Sequence, residues 1–369
     1  MTNHRYYSLD LIRGFAILGI YLINISLFAY TEDELFSYYS SYSEIPNTLY
    51  DTWNLLLYSL ISLFAEQKMM TLFSMLFGAS IILLTDKLDV NNKETTSIYF
   101  RRNLWLSILG FIHLLIWYGD ILFVYSISAI IIFPFRKLTC KKLLILAIPI
   151  NIIATIFQSS TTPAYFDNST MTNGFKSIII FSDLILESSV FILYILLSFS
   201  NMLIGMAFYK SGFILGSFDD QIYRKLAKYL IPMGIFLTLT GITISELQPY
   251  YISLITPSSV LQSTGYISLI ILLERSNILK SFQNRVIDIG QTALTSYLFQ
   301  TIISILIFYD EFIGLRSMNL DMTFQLLIII VVWMTQLITI PIWVSKFRYG
   351  PFEWLWRTLY YLEIQKLKK

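Results

Sequence analysis

The chain has 369 residues, of which 56% are hydrophobic, 16% aromatic and 14% charged. Soluble domains carry roughly 25% charged residues, so this composition excludes an ordinary soluble protein and predicts a polytopic membrane protein. The single cysteine, Cys140, excludes an intramolecular disulfide framework and a paired-cysteine metal site. The formal net charge of +2 is informative only through the positions of the basic residues.

Ten apolar runs have the length of membrane-spanning helices, which predicts an all-α bundle with about ten transmembrane helices. They cover approximately residues 9–30, 66–85, 104–119, 121–135, 143–158, 188–208, 229–245, 254–273, 289–309 and 324–345. The first run is too long for a cleaved signal peptide and is expected to be retained as the first span. Residues 52–64 form either a further half-span or an interfacial helix.

The distribution of Lys and Arg predicts the orientation. In this arrangement 22 of the 26 basic residues lie in loops on the N-terminal side of the membrane. The opposite loops contain only Lys176 and Arg316, and they are acidic, as in residues 31–44. The positive-inside rule therefore places both termini in the cytoplasm.

The pattern of apolar runs predicts one transmembrane domain over residues 1–369, whose last part, residues 346–369, is a cytoplasmic tail. In the tail, Gly350 and Pro351 mark a break, so residues 352–361 are expected to form an amphipathic helix along the membrane surface. No loop is long enough to be a separate enzyme domain. Any chemistry must therefore be built from the spans and their short connections.

The first span, YYSLDLIRGFAILGIYLINI, contains candidate binding residues. Asp10 and Arg13 can pair on one helical face, which lowers the cost of placing either charge in the membrane. Asn24 returns to that face about 21 Å further along the helix, at ~1.5 Å per residue. Alternatively, Asp10 and Arg13 only cap the span at the cytoplasmic surface, with the arginine reaching to water.

The stretch from Gly110 to Tyr125, GFIHLLIWYGDILFVY, places His113 and Asp120 in an apolar run. A charged or strongly polar side chain at bilayer depth costs roughly 2.5 to 3.5 kcal/mol, so one kept there faces a packed interior or a wet cavity. On one helix the two would share a face with Gly110 and Trp117. Histidine exchanges protons near neutrality, which makes this pair the catalytic candidate. Alternatively, His113 is a structural residue that hydrogen-bonds between helices.

Three further polar residues are candidates for substrate binding. Glu66 and Lys68 precede the second span, where they form a solvated helix end or, if residues 52–64 are buried, part of a cavity. Gln300 follows in DIGQTALTSYLFQ. Gly78 is interpreted as a site of close helix packing rather than of chemistry.

Several functions are excluded by missing motifs. The chain has no Walker A sequence, GxGxxG, HExxH, GxSxG or paired Cys/His zinc spacing, so ATP-driven transport by this chain alone and a motif-type metal site are not expected. Its basic residues are spread over many loops and are not gathered with aromatic residues, which does not support nucleic-acid binding.

Five blocks carry a family resemblance. They are SLDLIRGFAILGIYLINI, KMMTLFSMLFGAS, RRNLWLSILGFIHLLIWYGDILFVYSISAIIIFPFR, GQTALTSYLFQ and FRYGPFEWLWR. In this order they resemble the YeiB family of bacterial membrane proteins, which implies a multi-pass protein of the bacterial cytoplasmic membrane. The opening LDxxRG pattern, with Asp10, Arg13 and Gly14, is similar to that of membrane acyltransferases that modify surface sugars and of the lysosomal enzyme that acetylates heparan glucosamine.

The resemblance implies a shared fold and transfer of an acyl group from a cytoplasmic acyl thioester. The surface-sugar acyltransferases carry a histidine further along the first span, where this chain has Asn24. His113 would therefore have to supply the base from another helix, or no acyl chemistry occurs.

Three hypotheses follow. In the first, the chain is an intramembrane transferase with His113 as general base, Asp120 orienting it and Asn24 donating to the oxyanion, while Asp10 and Arg13 hold an anionic group of the donor. In the second, the same groups line a proton or solute path of a permease or an accessory component of an export complex, for example for a peptide antibiotic. In the third, the chain is a non-catalytic membrane scaffold. Its surroundings are the lipid bilayer in each case, and no oligomeric state is predicted.

Overall fold

A computed structural model describes residues 7–31, 34, 46–91, 94–166, 176–247, 254–276 and 278–369. In those residues the chain forms thirteen α-helices and two short 3-10 turns, with no β-strand beyond an isolated antiparallel bridge between Phe347 and Lys368. The helices are α1 (Tyr7–Ala29), α2 (Leu49–Phe64), α3 (Lys68–Val90), α4 (Thr95–Ile116), α5 (Leu122–Ile132), α6 (Cys140–Phe166), α7 (Lys176–Lys210), α8 (Asp220–Leu247), α9 (Ile255–Arg275), α10 (Lys280–Gln291), α11 (Ala293–Phe308), α12 (Met322–Lys346) and α13 (Pro351–Tyr361). The predicted all-α class is confirmed.

Six helical runs in the described part of the chain are long and apolar enough to cross a membrane. They are Tyr7–Ala29, Leu49–Val90, Cys140–Gln158, Ser189–Lys210, Ile255–Arg275 and Met322–Lys346. A seventh arises if α10 and α11, which meet at an angle of 88°, form one broken span. The chain is thus a polytopic helical membrane protein.

The three other predicted spans coincide with α4, α5 and α8. Helix α5 has 11 residues, so at ~1.5 Å per residue it is about 16 Å long, roughly half the hydrocarbon thickness of a bilayer. The count of ten spans and the cytoplasmic location of the termini stay predictions.

Two compact units divide the chain. The first contains residues 1–73, 116–119 and 270–369, and the second contains residues 74–115 and 120–269. In the first unit α1 packs against α10, α11 and α12. Leu11, Ile12, Ile17 and Tyr21 of α1 are buried.

Two glycines allow the close crossing of α1 and α10. A Cβ atom on Gly14 would overlap the carbonyl oxygen of Val286, and one on Gly290 would overlap that of Asp10. The obstructing atoms belong to backbone, so a larger residue would force the helices apart. Small residues are the usual means of close packing in membranes, where lipid removes the hydrophobic drive between helices.

A line of polar side chains joins α1, α11 and α12. The hydroxyls of Tyr21 and Ser304 lie 2.8 Å apart, and the Ser26 hydroxyl donates to Oε1 of Gln325 at 2.7 Å. Buried polar groups need such partners because an unmade hydrogen bond in an apolar interior costs about 1 to 3 kcal/mol. We call these pairs, together with Gln300 and Gln336, the polar seam.

The structure shows a break near the start of the predicted span over residues 289–309. Helix α10 ends at Gln291 and α11 begins only at Ala293, after the 88° bend at Thr292. The Thr292 hydroxyl donates to the Asp288 carbonyl at 3.0 Å and so satisfies an acceptor freed at the end of α10.

The second unit is built on α6, which packs along α7, and on α5, which also contacts α7. A second pair of glycines brings α3 and α7 together. A Cβ atom on Gly78 would overlap the Met202 carbonyl oxygen, and one on Gly205 would overlap that of Met75. The packing role predicted for Gly78 is confirmed.

Candidate functional site

His113 and Asp120 form a buried pair in the second unit. Nδ1 of His113 lies 2.6 Å from Oδ1 of Asp120, and the two residues are 4% and 8% exposed. The prediction that one helix carries both is wrong, since α4 ends at Ile116 and Asp120 follows a turn. Their predicted proximity is confirmed, because the turn folds the carboxylate back towards the imidazole.

The second oxygen of Asp120 is also bound. Oδ2 accepts the backbone N–H of Phe123 at 2.8 Å, in the first turn of α5. A Cβ atom on Gly110 would overlap the backbone of Leu122 and Phe123, so this glycine lets α5 approach α4 closely. The carboxylate is therefore fixed by the start of one helix while it contacts a side chain of another.

Trp117 lies in the turn between the two residues. This buried side chain belongs to the first unit, where its ring stacks on Phe28 of α1 with centroids 4.2 Å apart and planes 10° apart. The ring also fills the space in which a Cβ atom of Gly119 would lie. Trp117 and Gly119 are therefore packed together in the turn that follows Ile116.

The short contact between Nδ1 of His113 and Oδ1 of Asp120 fits a hydrogen bond in which Nδ1 donates, because an ionised carboxylate can only accept. In that tautomer the lone pair is on Nε2, which makes His113 a candidate general base.

Asp10 and Arg13 pair in the first unit, as predicted. Nη1 of Arg13 donates to Oδ1 of Asp10 at 2.9 Å and to the carbonyl oxygen of Gly290 at 3.4 Å. The side chain of Arg13 is 21% exposed and that of Asp10 is 15% exposed, so the pair is partly buried at the crossing of α1 and α10. Asn24 lies half-buried on the same helix.

Lys68 is buried and not part of a solvated helix end. It is 1% exposed, and Nζ donates to the Ser62 carbonyl oxygen at 2.9 Å across the break between α2 and α3. Glu66 is half-buried and accepts the Ser62 hydroxyl. Gln67 adopts a left-handed conformation with φ of 56° at this break. The lysine thereby bonds an acceptor at the end of α2.

Gln300 belongs to the polar seam. Its Nε2 donates to Oε1 of Gln336 at 3.0 Å and to the Ile17 carbonyl oxygen at 3.4 Å. Gln336 in turn donates to the Ser296 carbonyl oxygen at 2.8 Å. Gln336 was not among the residues predicted from the sequence. Its position in the middle of the apolar run of residues 324–345 could have indicated it.

Comparison with known proteins gives three relatives over nearly the whole chain. "Uncharacterized protein YeiB" of Escherichia coli (strain K12) is 30% identical over 386 residues, which cover 95% of this chain and 95% of that protein. The chain belongs to the YeiB family. "Uncharacterized protein YxaH" of Bacillus subtilis (strain 168) is 28% identical and covers 100% of this chain and 97% of that protein.

A further relative of this YeiB-family chain is 24% identical, the "Uncharacterized 39.9 kDa protein in amylase 3'region" of Bacillus acidopullulyticus, with 97% of the chain and 94% of that protein covered. The model of the family described as "Protein of unknown function (DUF418)" matches residues 208–363. No solved structure matches.

Some candidate residues of this YeiB-family chain lie inside the segment that matches the family model, and others lie outside it. Residues 208–363 include Gln300 but not the pair of His113 and Asp120, nor Asp10, Arg13 and Asn24.

Among the described residues, no group of three or more His, Cys, Asp or Glu side chains could hold a metal ion.

Proposed function

We propose that this YeiB-family protein is an intramembrane transferase of the bacterial cytoplasmic membrane, with His113 as its general base. The observation that carries the proposal is the 2.6 Å contact between Nδ1 of His113 and the buried Asp120. A carboxylate in this position holds the imidazole in one tautomer and stabilises the imidazolium that forms when Nε2 takes a proton.

The proposed reaction moves an acyl group from a cytoplasmic acyl thioester to an extracytoplasmic acceptor. Nε2 of His113 removes the proton of an acceptor hydroxyl or amine, and the acceptor atom attacks the acyl carbonyl carbon. The carbon–sulfur bond breaks, and the proton held by His113 balances the departing thiolate. The likeness of LDxxRG to surface-sugar acyltransferases supports this class of reaction.

The same proposal assigns roles to residues of α1. Asn24 lies in the first unit and His113 in the second, so the role of Asn24 as a donor to the oxyanion stays a prediction. Arg13, paired with Asp10, would hold an anionic group of the donor. Glu66, Lys68 and Gln300 are proposed to contact substrate, though each is also bound within the fold.

The experiment compares acyl transfer by membrane preparations that contain wild-type protein, His113→Gln or Asp120→Asn. An acyl thioester labelled in its acyl group serves as donor, with extracted envelope sugars as acceptors. We expect His113→Gln to abolish transfer and Asp120→Asn to lower it about 100-fold or more, because general-base catalysis contributes roughly 10² to 10⁴ in rate. His4→Ala is the matched control. Unchanged transfer in His113→Gln with normal folding contradicts the proposal.

The polar seam supports a second candidate, a permease or an accessory component of an export complex. Its pairs Tyr21–Ser304 and Gln300–Gln336 lie within apolar helices, as do the groups that line solute paths. Solute or proton flux into liposomes that contain the full chain should then fall in Gln300→Leu. Normal flux in Gln300→Leu contradicts this candidate.

A further inference from the structure

A groove lies between α10 and α12 in the first unit. Its volume is about 520 Å³, and it is largely open to the surface. The polar side chains of Ser281, Asn284, Arg285 and Asp288 on α10 line one wall. Ile338, Pro341 and Ile342 of α12 contribute an apolar wall.

The position of the cation in this groove follows from Pro341. Proline has no N–H, so the carbonyl oxygen of Leu337, four residues earlier, loses its helical donor. Nη1 of Arg285 donates to this oxygen at 2.8 Å. The guanidinium is thereby held in one place against α12, although Arg285 as a whole is exposed.

The two walls suit different parts of one ligand. Ile338 and Ile342 are 49% and 56% exposed and lie one turn apart on an apolar helix that is long enough to cross a membrane, so they offer an apolar surface to a lipid chain. Ser281 and Asn284 are exposed beside Arg285 and offer further hydrogen-bond donors. Asp288 in the same lining disfavours a multiply charged anion.

We propose that this groove binds an anionic phospholipid. The phosphate contacts Arg285, Ser281 and Asn284, and one acyl chain lies along Ile338 and Ile342. The guanidinium supplies charge complementarity and the isoleucines supply the contact with the chain, which together fit a lipid rather than a soluble anion. This proposal is independent of His113 and of the transferase reaction.

Native mass spectrometry of the full chain tests the proposal. The protein is purified from nanodiscs with equal amounts of phosphatidylglycerol and phosphatidylcholine, and the lipid retained is counted. We expect phosphatidylglycerol to be retained preferentially, and Arg285→Ala to reduce its retention about fivefold to tenfold. Arg224→Ala, which removes an exposed cation from α8, is the matched control and should retain lipid as the wild type does.

Asn284→Asp gives a second variant that leaves the bond between Arg285 and Leu337 in place. Its added negative charge should lower phosphatidylglycerol retention to a similar extent, with an unchanged unfolding temperature. Equal retention of both lipids by wild type, or full retention by Asn284→Asp, overturns the proposal. Displacement of the retained phosphatidylglycerol by glycerol phosphate at the same concentration would indicate that the groove binds a soluble anion instead. Formation of a disulfide-linked dimer by Asn284→Cys in a Cys140→Ser background would indicate that a second copy of the chain occupies the groove. Either result also overturns the proposal.

Discussion

Glu353 binds the first turn of α11 from a helix that lies 58 residues further along the chain. Its Oε1 accepts the backbone N–H of Thr295 at 3.0 Å, and its Oε2 accepts the Thr295 hydroxyl at 2.5 Å. The Thr295 hydroxyl oxygen also accepts the N–H of Phe352 at 3.1 Å. A Cβ atom on Gly350 would overlap the side chains of Glu353 and Thr295. Two of the blocks that carry the family resemblance, GQTALTSYLFQ and FRYGPFEWLWR, are therefore direct partners.

Removal of this carboxylate should loosen α13 and the start of α11. We expect Glu353→Ala to lower the free energy of unfolding by about 1 to 3 kcal/mol, because it leaves the buried Thr295 N–H without its acceptor. Chemical unfolding in detergent micelles measures the change. Glu363→Ala, an exposed carboxylate in the same segment, is the control and should change stability little. Equal stability of the two variants would show that Glu353 does not hold the segment.

Stability should also depend on the protonation of Glu353. Burial raises the pKa of this carboxyl above its usual value, and the hydrogen bonds from Thr295 oppose the shift only in part. The folded protein then binds the proton more tightly than the unfolded chain. This contribution to stability is complete below the ordinary glutamate pKa and is lost as the pH rises through the raised pKa.

Thermal unfolding across that pH window checks the sign. The wild type should become less stable as the pH rises through it, and Glu353→Gln should show a flatter profile. The amide can still accept from the Thr295 N–H but cannot ionise. A wild-type profile that rises with pH over this window would contradict the prediction.

The glycines at the crossing of α1 and α10 should not accept side chains. We expect Gly290→Ala to destabilise the protein by about 1 to 3 kcal/mol or to prevent folding, because its Cβ meets the backbone of Asp10. Gly241→Ala is the control, since the nearest atom there is the Leu254 Cβ at 3.3 Å, which belongs to a side chain. Expression level and unfolding temperature measure both. Similar losses at the two positions would argue against a special role of the crossing.

The bond between Arg285 and Leu337 should matter only while Pro341 is present. In Pro341→Ala the alanine N–H can donate to the Leu337 carbonyl, so Arg285→Ala should cost less there than in wild type. A double-mutant cycle by unfolding should give a coupling of about 0.5 to 1.5 kcal/mol. Additive effects of the two substitutions would show that Arg285 does not compensate for the proline.

Some elements of the site were predictable from spacing, and others were not. Asp10 and Arg13 lie three residues apart on one helix, so local geometry alone brings them to 2.9 Å. The approach of His113 and Asp120 was predicted for the wrong reason, since the helix of His113 ends at Ile116 and Asp120 follows a turn. The burial of Lys68 could not be predicted, because sequence did not show which residues pack around the break after α2.

Composition and the spacing of apolar runs determined that this chain is a helical, multi-pass membrane protein, because the hydrocarbon thickness sets the length of an apolar run. The order of five sequence blocks indicated its family. Only the tertiary structure decided where helices bend, as at Thr292, and which distant residues meet, as Glu353 and Thr295 do. Such pairings depend on the relative placement of helices in space, and hydropathy along one helix contains no information about its neighbours.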